Sequence, residues 1–232
     1  MYYAIIGDII GSKSLNDRNI VQKKLEKYLV ILNDKYSKVI KKDLSVTLGD
    51  EFQGLFISHT SIFEILQKIE AEMFPTRVRF GIGMGELSFD HGSINSPYGS
   101  DGEVWWNARK AIENVKKNNL KNKMGYFSNI NIYTNTPSKN DYINKVLNLC
   151  YAIKLDWTTK QRELIFYTIN TYGLKSDFSI SEVAKKFKQS SSTIYEKYKA
   201  AKYLDYIETL GILDKAIDLN IVSKVERGNS DE

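Results

Sequence analysis

Residues 2–84 alternate between strand-like and helix-like hydrophobic patterns in an order that few folds accommodate. Short β-rich runs indicate strands, and apolar residues at spacings of three and four indicate amphipathic helices. The order β-α-β-β-α-β predicts a ferredoxin-like arrangement, in which helices cover one face of an antiparallel sheet. The predicted strands are 2–7, 44–48, 52–57 and 77–84, and the predicted helices are 21–40 and 62–73.

Strand-like patterns stop near residue 155, and helical patterns alone follow. Before that point, two helices and a strand pair extend the first unit, at 103–118, 139–153 and 124–133. After it, a helix closed by Gly173 precedes two short helices joined by residues 188–190. We therefore predict an α+β domain over 1–154, a small all-α domain over 155–226 and a disordered tail over 227–232.

The composition is that of a soluble globular protein, with 42% hydrophobic and 26% charged residues in a chain of 232. No run approaches the roughly 18–20 apolar residues of a membrane span, and the first ten residues lack the basic segment of a signal peptide. The single cysteine, Cys150, cannot form an internal disulfide, so we expect it to be a small buried side chain in a reducing cytoplasm. A net charge of +5 mildly favours anionic partners.

The stretch VTLGDEFQGLF, residues 46–56, interrupts an apolar run with two adjacent acids, Asp50 and Glu51. In the predicted fold the first and third strands are antiparallel neighbours, so Asp8 at the end of one lies beside Asp50 at the start of the other. Mg²⁺ commonly takes one or two carboxylates and completes its shell with water and phosphate oxygens. The pair therefore predicts a Mg²⁺ or Mn²⁺ site, although aspartate is also common in turns.

The segment IIGSKS follows the first strand and leads toward the long helix. Gly11 would let backbone amides approach a phosphate, a helix N-terminus attracts anions, and Lys13 adds positive charge. These features predict that Ile10, Gly11, Ser12 and Lys13 bind nucleotide phosphates. The alternative is that Gly11 and Ser12 form only a turn and a helix cap.

Four blocks in this order, GDIIGSK, LGDEFQGLF, VRFGIGMGEL and DGEVWWNARKAI, resemble the motifs of class III nucleotide cyclases over about residues 1–135. The second block is also similar to the GDEF signature of diguanylate cyclases and to related polymerase palms. The whole chain resembles the SatD family, which consists of small bacterial proteins of poorly defined function.

The cyclase resemblance implies a palm domain with two metal-binding aspartates, which carry over to Asp8 and Asp50. It implies that the backbone carbonyl of Ile9 is a further metal ligand, and that Glu51 contributes as in diguanylate cyclases. It also implies that Arg109 stabilises the transition state. A simpler alternative pairs Arg109 with Glu113, one helical turn away.

The sequence departs from the cyclase pattern at several functional positions. Val46 stands where class III cyclases carry the lysine that reads the purine, and Trp105 stands where they carry an asparagine. Asn107 is close to that position but out of register, and Leu48 replaces the first glycine of the diguanylate cyclase signature. Because positioned polar groups supply much of the rate in phosphoryl chemistry, these changes favour binding over efficient cyclisation.

Gly81, Gly83 and Gly85 in FGIGMGE do not have the spacing of a dinucleotide-binding motif. Alternating glycines along a strand would instead let a helix or a ligand approach one sheet face. The adjacent Trp105 and Trp106 would either pack in the core or stack on a base.

The segment SISEVAKKFKQSSSTIYEKYKAAKYL predicts a helix-turn-helix, and WTTKQREL ahead of it resembles the lead-in of sigma-factor and response-regulator helix-turn-helix units. The longer segment holds six lysines against one acid between residues 185 and 202. We predict that the lysines contact DNA phosphates and that the start of the second helix reaches base edges. The predicted DNA-binding residues are Lys188, Ser191, Ser192, Thr193, Tyr195, Lys197 and Lys199. The alternative is a packing or dimerisation module with a solvated lysine face.

Two functions from different classes follow. The first is a transcriptional regulator whose palm senses a nucleoside triphosphate or a signalling nucleotide and whose helical part binds duplex DNA. The second is an enzyme that makes a cyclic or oligomeric nucleotide from a triphosphate, with the helical part positioning a partner or forming a homodimer.

Overall fold

The computed structural model describes residues 1–12, 17–57, 61–90, 92, 95–121 and 127–217. The elements in chain order are β1 (Tyr2–Ile9), α1 (Arg18–Lys35), β2 (Ile40–Leu48), β3 (Glu51–Phe56), α2 (Ile62–Met73), β4 (Val78–Gly85), β5 (Phe89–Asp90), β6 (Ser100–Asp101), α3 (Glu103–Lys121), β7 (Ile130–Tyr133), α4 (Pro137–Leu155), α5 (Thr159–Tyr172), α6 (Ile180–Phe187), α7 (Ser191–Ala200) and α8 (Tyr203–Ala216).

Five of these strands form one sheet, in the order β2-β3-β1-β4-β7. Strand β1 is antiparallel to both β3 and β4, whereas β7 is parallel to β4. The predicted antiparallel neighbours, the first and third strands, are therefore confirmed. Strands β5 and β6 form a separate short ribbon.

Helices cover both faces of the sheet. Because side chains alternate along a strand, Ile5 and Ile9 of β1 belong to the core with α1 and α2, while Ile6 packs with α3. A Cβ atom at Gly83 would lie 2.2 Å from backbone atoms of Val104 and Ala108 in α3. The alternating glycines of β4 thus permit close approach of a helix, which was one of the two predicted uses.

Helix α2 is buried on nearly all sides because the C-terminal helices α5 and α8 pack on the surface that faces away from the sheet. The larger hydrophobic core therefore runs without interruption from the sheet into α5, α6, α7 and α8. Residues of α2 and of the C-terminal helices also exchange polar contacts. Tyr206 donates its hydroxyl hydrogen to Gln67 Oε1 at 2.6 Å, and Asp214 Oδ1 accepts from the backbone N–H of Phe63 at 3.1 Å.

Asparagine side chains cover the outer edge of β7, an edge strand of the sheet. Asn144 of α4 donates to the carbonyl of Ile132 at 2.9 Å and accepts from its N–H at 2.8 Å. One helical turn earlier, Asn140 makes the same pair of bonds with Thr134, at 2.9 and 2.8 Å. The amide groups thereby satisfy backbone groups that an edge strand would otherwise leave open.

Two predicted boundaries are wrong, and the predicted strand pair is tested only in part. Helix α1 ends at Lys35 rather than near residue 40, because Ile40 already begins β2. The predicted strand pair within 124–133 is represented by β7 alone in the described part of the chain, and 122–126 lie outside it. The last predicted helix is two helices, α7 and α8, because Lys202 adopts a left-handed φ of 52° between them. The predicted tail, 227–232, lies outside the described residues.

Candidate functional site

Three charged residues stand side by side across the sheet on the face that α3 covers. In the strand register Asp8 of β1 lies opposite Glu51 of β3 on one side and Arg79 of β4 on the other. Helix α3 contributes two more charges, Arg109 and Lys116, which are separated by two helical turns and so project from the same side. We call these five residues the charged row.

Asp8 is 4% exposed and is held by two cations. Its Oδ2 atom accepts from Arg79 Nε at 2.7 Å and lies 2.6 Å from Arg79 Nη2. Lys116 Nζ is 3.1 Å from the same oxygen. A buried carboxylate is costly unless it is paired, and these contacts supply that pairing.

Glu51 and Arg109, the two residues assigned to catalysis, form a bidentate ion pair. Arg109 Nη1 and Nη2 lie 2.6 and 2.8 Å from the two carboxylate oxygens, and Gln53 donates to Oε1 at 2.9 Å. Desolvation would raise the pKa of Glu51, but the bonds from Arg109 and Gln53 hold it below the usual value. The hydrogen bonds to Glu51 raise the pKa of Arg109. Glu113, the alternative partner, instead lies 3.9 Å from Lys117.

Asp50 occupies the turn between β2 and β3, where Gly49 has a φ of 64°. Its side chain accepts the hydroxyl hydrogen of Ser12, and its carbonyl accepts from the N–H of Ile9 at 3.2 Å. Desolvation would raise the pKa of Asp50, but hydrogen bonds with Ser12 and with the Asp8 carboxyl lower it. The structure therefore places Asp50 beside the end of β1, next to Asp8.

The segment that was predicted to hold phosphates leaves β1 differently from the prediction. Ser12 is buried against Asp50, and Gly11 has a φ of 73°. Helix α1 begins only at Arg18, so its N-terminus does not follow Gly11 directly. Ile10 lines a cavity to which none of Asp8, Asp50 and Glu51 contributes. Lys13 lies outside the described residues.

The positions that depart from the cyclase pattern contribute no polar group to the charged row. Trp105 is buried and donates its indole N–H to Ser100 Oγ at 3.1 Å, so it packs as a core residue. Its neighbour Trp106 is 55% exposed. Asn107 is buried and donates to the carbonyl of Met84 at 2.7 Å, near the far end of β4.

Arg79, Lys116 and Gln53 are site residues that sequence reasoning missed. Arg79 alternates with Gly81 and Gly83 along β4, so its place on the α3 face was readable once that strand was assigned. The pairing of Arg79 with Asp8 could not be predicted, because neither strand alone determines the register between β1 and β4. Lys116 lies seven residues after Arg109, and that spacing was a usable signal.

The proposed DNA-binding residues lie on two helices joined by a short turn. Lys188 ends α6 with a φ of 52°, and the Ser190 hydroxyl accepts from the N–H of Thr193 at 3.1 Å to cap α7. Val183 and Ile194 are buried between the helices and the core. The predicted residues Ser191, Ser192, Thr193, Tyr195 and Lys199 are exposed, as is Lys188, while Lys197 is half-buried and donates to Gln189 Oε1 at 2.7 Å.

No group of three or more His, Cys, Asp or Glu side chains gathers within the described ranges in a way that would hold a metal ion. An ion at the acid pair would therefore need water or ligand oxygens to complete its shell. The donor set itself, two convergent carboxylates, is the kind that Mg²⁺ accepts.

These features define a mixed α+β protein with an acid pair and surrounding cations at one end of a five-stranded sheet, and with a helical C-terminal region. The chain belongs to the SatD family, whose model matches residues 2–212. No curated protein sequence matches it. None of the helices in the described part of the chain has the length and apolar composition needed to cross a membrane.

Proposed function

We propose that this protein is a nucleotide-sensing regulator, with a cyclase-like palm that binds a metal–nucleotide complex and a helix-turn-helix that binds DNA. One observation carries the proposal: Asp8 and Asp50 are neighbours at one end of the sheet, where three cations pair with the acids of the charged row. A metal–triphosphate complex needs both kinds of group in one place, carboxylates for the ion and cations for the phosphates.

The ion pairs of the charged row suit exchange with such a ligand. Without ligand, Arg79 and Lys116 neutralise Asp8. When Mg²⁺ or Mn²⁺ binds Asp8 and Asp50, it takes over that neutralisation and releases the two cations for phosphate oxygens. Each charge keeps a partner in both states, so binding leaves no buried charge unpaired. The Ile9 carbonyl remains the proposed third protein ligand.

The second part of the proposal is that α6 and α7 bind duplex DNA. It is supported by the exposed lysines and by the exposed first turn of α7, with its hydroxyl-bearing Ser191, Ser192 and Thr193. Lysines that neutralise phosphates release counterions, so binding should weaken steeply with salt. Mobility shifts with the full chain and its own upstream region test this, and no shift at low salt contradicts it.

The metal site is tested by calorimetry with each nucleoside triphosphate in the presence of Mn²⁺. Asp8→Ala and Asp50→Ala should each abolish the Mn²⁺-dependent binding. Asp34→Ala, at an exposed aspartate on α1, is the matched control and should bind as the parent does. Unchanged binding in both site variants would falsify the proposal.

The alternative function is a nucleotidyl cyclase or a related nucleotidyltransferase. It is favoured by the position of Arg109 on the charged row, where it would face a bound phosphate chain. It is disfavoured because Val46 and Trp105 supply no polar group there. Incubation with each triphosphate and Mg²⁺ or Mn²⁺, followed by mass spectrometry, decides between them: a cyclic or oligomeric product supports the enzyme, and its absence supports the sensor.

A further inference from the structure

The cavity that Ile10 lines is situated between the sheet and the C-terminal helices, on the opposite side of the sheet from the charged row. Its volume is about 310 Å³, close to the lower end of the usual range for ligand sites. It is lined by the end of α2 and the start of β4, and by residues of α4 and α5. We call it the interface cavity.

An ion pair forms part of its wall and is already complete. Lys154 Nζ lies 2.7 and 2.8 Å from the carboxylate oxygens of Glu70 and 3.1 Å from Asn129 Oδ1. These three acceptors use all three ammonium hydrogens. Lys154 and Glu70 therefore neutralise each other, and the ammonium group has no hydrogen left to donate to a ligand.

Two further cations on the lining keep their charge. Arg162 donates through Nε to the carbonyl of Trp157 at 3.2 Å and through Nη2 to the carbonyls of Lys154 and Leu155 at 2.7 and 3.3 Å. Those bonds fix the guanidinium without cancelling its charge. Arg77 lies exposed at the rim, and neither arginine has an acid partner among the described residues. The interface cavity is thus positively charged after its internal ion pair is counted.

Three aromatic side chains line the cavity, together with aliphatic residues such as Ile10, Val78 and Leu155. Phe74 and Phe166 meet edge to face with ring centroids 5.5 Å apart, and Tyr151 lies on another wall. Aromatic walls favour a flat apolar ring, which they contact edge to face or in an offset stack. A guanidinium favours a carboxylate or a phosphate, to which it can donate two parallel hydrogen bonds. Arg77 can donate in this way, whereas Arg162 has only its Nη1 hydrogens left for a ligand.

We propose that the interface cavity binds a small anion that carries one aromatic ring and one carboxylate or phosphate group. The ring lies against Phe74, Phe166 and Tyr151, and the anionic group binds Arg77 and Arg162. A ligand there would touch both the sheet and the C-terminal helices, so it would stabilise their association. This site is separate from the charged row, because none of the five residues of that row lines it.

The test uses four probes with the full chain in calorimetry: phenyl phosphate, benzoate, neutral benzyl alcohol and inorganic phosphate. We expect one of the two aromatic anions to bind more tightly than both benzyl alcohol and inorganic phosphate, and the tighter one identifies the anionic group. If neither aromatic anion binds, or if benzyl alcohol or inorganic phosphate binds as well, the proposal is overturned.

Variants localise the binding. Arg77→Ala should weaken the preferred anion by about tenfold or more, because a charged hydrogen bond is lost. Thr76→Phe should block it by filling the rim, whereas Lys27→Ala, at an exposed position on α1, should not change it. Asp50→Ala should also leave it unchanged. If the probe no longer binds to Asp50→Ala but still binds to Arg77→Ala, its site is at the charged row, and the proposal for the interface cavity is overturned. That result would leave the proposed nucleotide site unaffected.

Discussion

Buried charges occur on both faces of the sheet, but they are satisfied in different ways. On the α2 face, Lys68 donates to the carbonyls of Ile169 and Asn170 at the end of α5, both at 2.7 Å. Lys154 and Glu70 form a pair in which the lysine side chain is 3% exposed. These partners are backbone groups or the nearly buried carboxylate of Glu70, and they tie the C-terminal helices to α2.

On the α3 face Arg79 of β4 is 20% exposed, and the other two cations come from long side chains that reach in from solvent. The Arg109 side chain is 43% exposed and that of Lys116 is 37% exposed, although the carboxylates they hold are nearly buried. A partly exposed cation regains water when it leaves, so it can be exchanged if another partner takes over the nearly buried carboxylate. The comparison teaches that the first group holds the fold together and the second is able to exchange partners.

The largest expected effect is on the α2 face. Lys154→Met leaves the Glu70 carboxylate buried without its cation, so unfolding should become easier by about 3–5 kcal/mol. Urea denaturation at neutral pH measures this change. Lys116→Met is the matched substitution on the α3 face, where Arg79 still holds Asp8, and its cost should be below about 1 kcal/mol. An equal cost for both variants would erase the distinction between the two faces.

Asp214 should make stability depend on pH. Desolvation raises its pKa to about 7, despite the backbone N–H groups that it accepts from at the start of α2. The folded protein then keeps a proton that the unfolded chain releases near pH 4. Stability therefore falls as pH rises from about 4 to about 7, by at most about 4 kcal/mol, and is level above that range.

Asp214→Asn removes the titration and keeps a side chain that can accept from the same N–H groups. Its urea midpoint should change less between pH 4.5 and 7.5 than that of the parent chain. The free energy of unfolding of the variant should therefore increase relative to that of the parent chain as pH rises. Parallel pH profiles would show that Asp214 does not carry the effect.

Arg109→Ala sharpens the comparison on the α3 face, where the expected loss is in ligand binding. If Arg109 holds phosphate in a sensor, nucleotide affinity should weaken by about 1–3 kcal/mol, as measured by calorimetry with Mn²⁺. If it acts on charge that develops during catalysis, kcat should fall with little change in KM. We expect the first outcome, and turnover that Arg109→Ala abolishes at unchanged affinity would reverse that choice.

The smallest effect should come from Lys117→Ala on the outer surface of α3. Lys117 lies 3.9 Å from Glu113, and both side chains are more than half exposed. Exposed pairs at this helical spacing contribute about 0.3–0.5 kcal/mol. Salt titration of the parent and the variant measures this contribution, which should disappear at high salt. A loss above 1 kcal/mol would mean that exposure does not separate the two groups of charges.

The sequence predicted that the first and third strands are neighbours, because the order β-α-β-β-α-β implies that arrangement, and the strands pair as predicted. It did not predict Arg79 and Lys116 as partners of Asp8, because those contacts depend on strand register and on where α3 crosses the sheet. The break between α7 and α8 was missed for a local reason. The left-handed residue there is Lys202, whereas glycine is the usual signal for that backbone conformation.

The asparagines along the sheet also restrict how copies of this protein could associate. At β7 the edge is bonded by Asn140 and Asn144, and at β2 Asn33 makes the same two bonds with Leu44, at 2.8 and 3.0 Å. A neighbouring strand would have to displace these amides before it could add to the sheet at those positions. A homodimer would therefore be expected to form through helix or loop surfaces, and conditions that promote intermolecular β-pairing should find few open sites on the folded sheet.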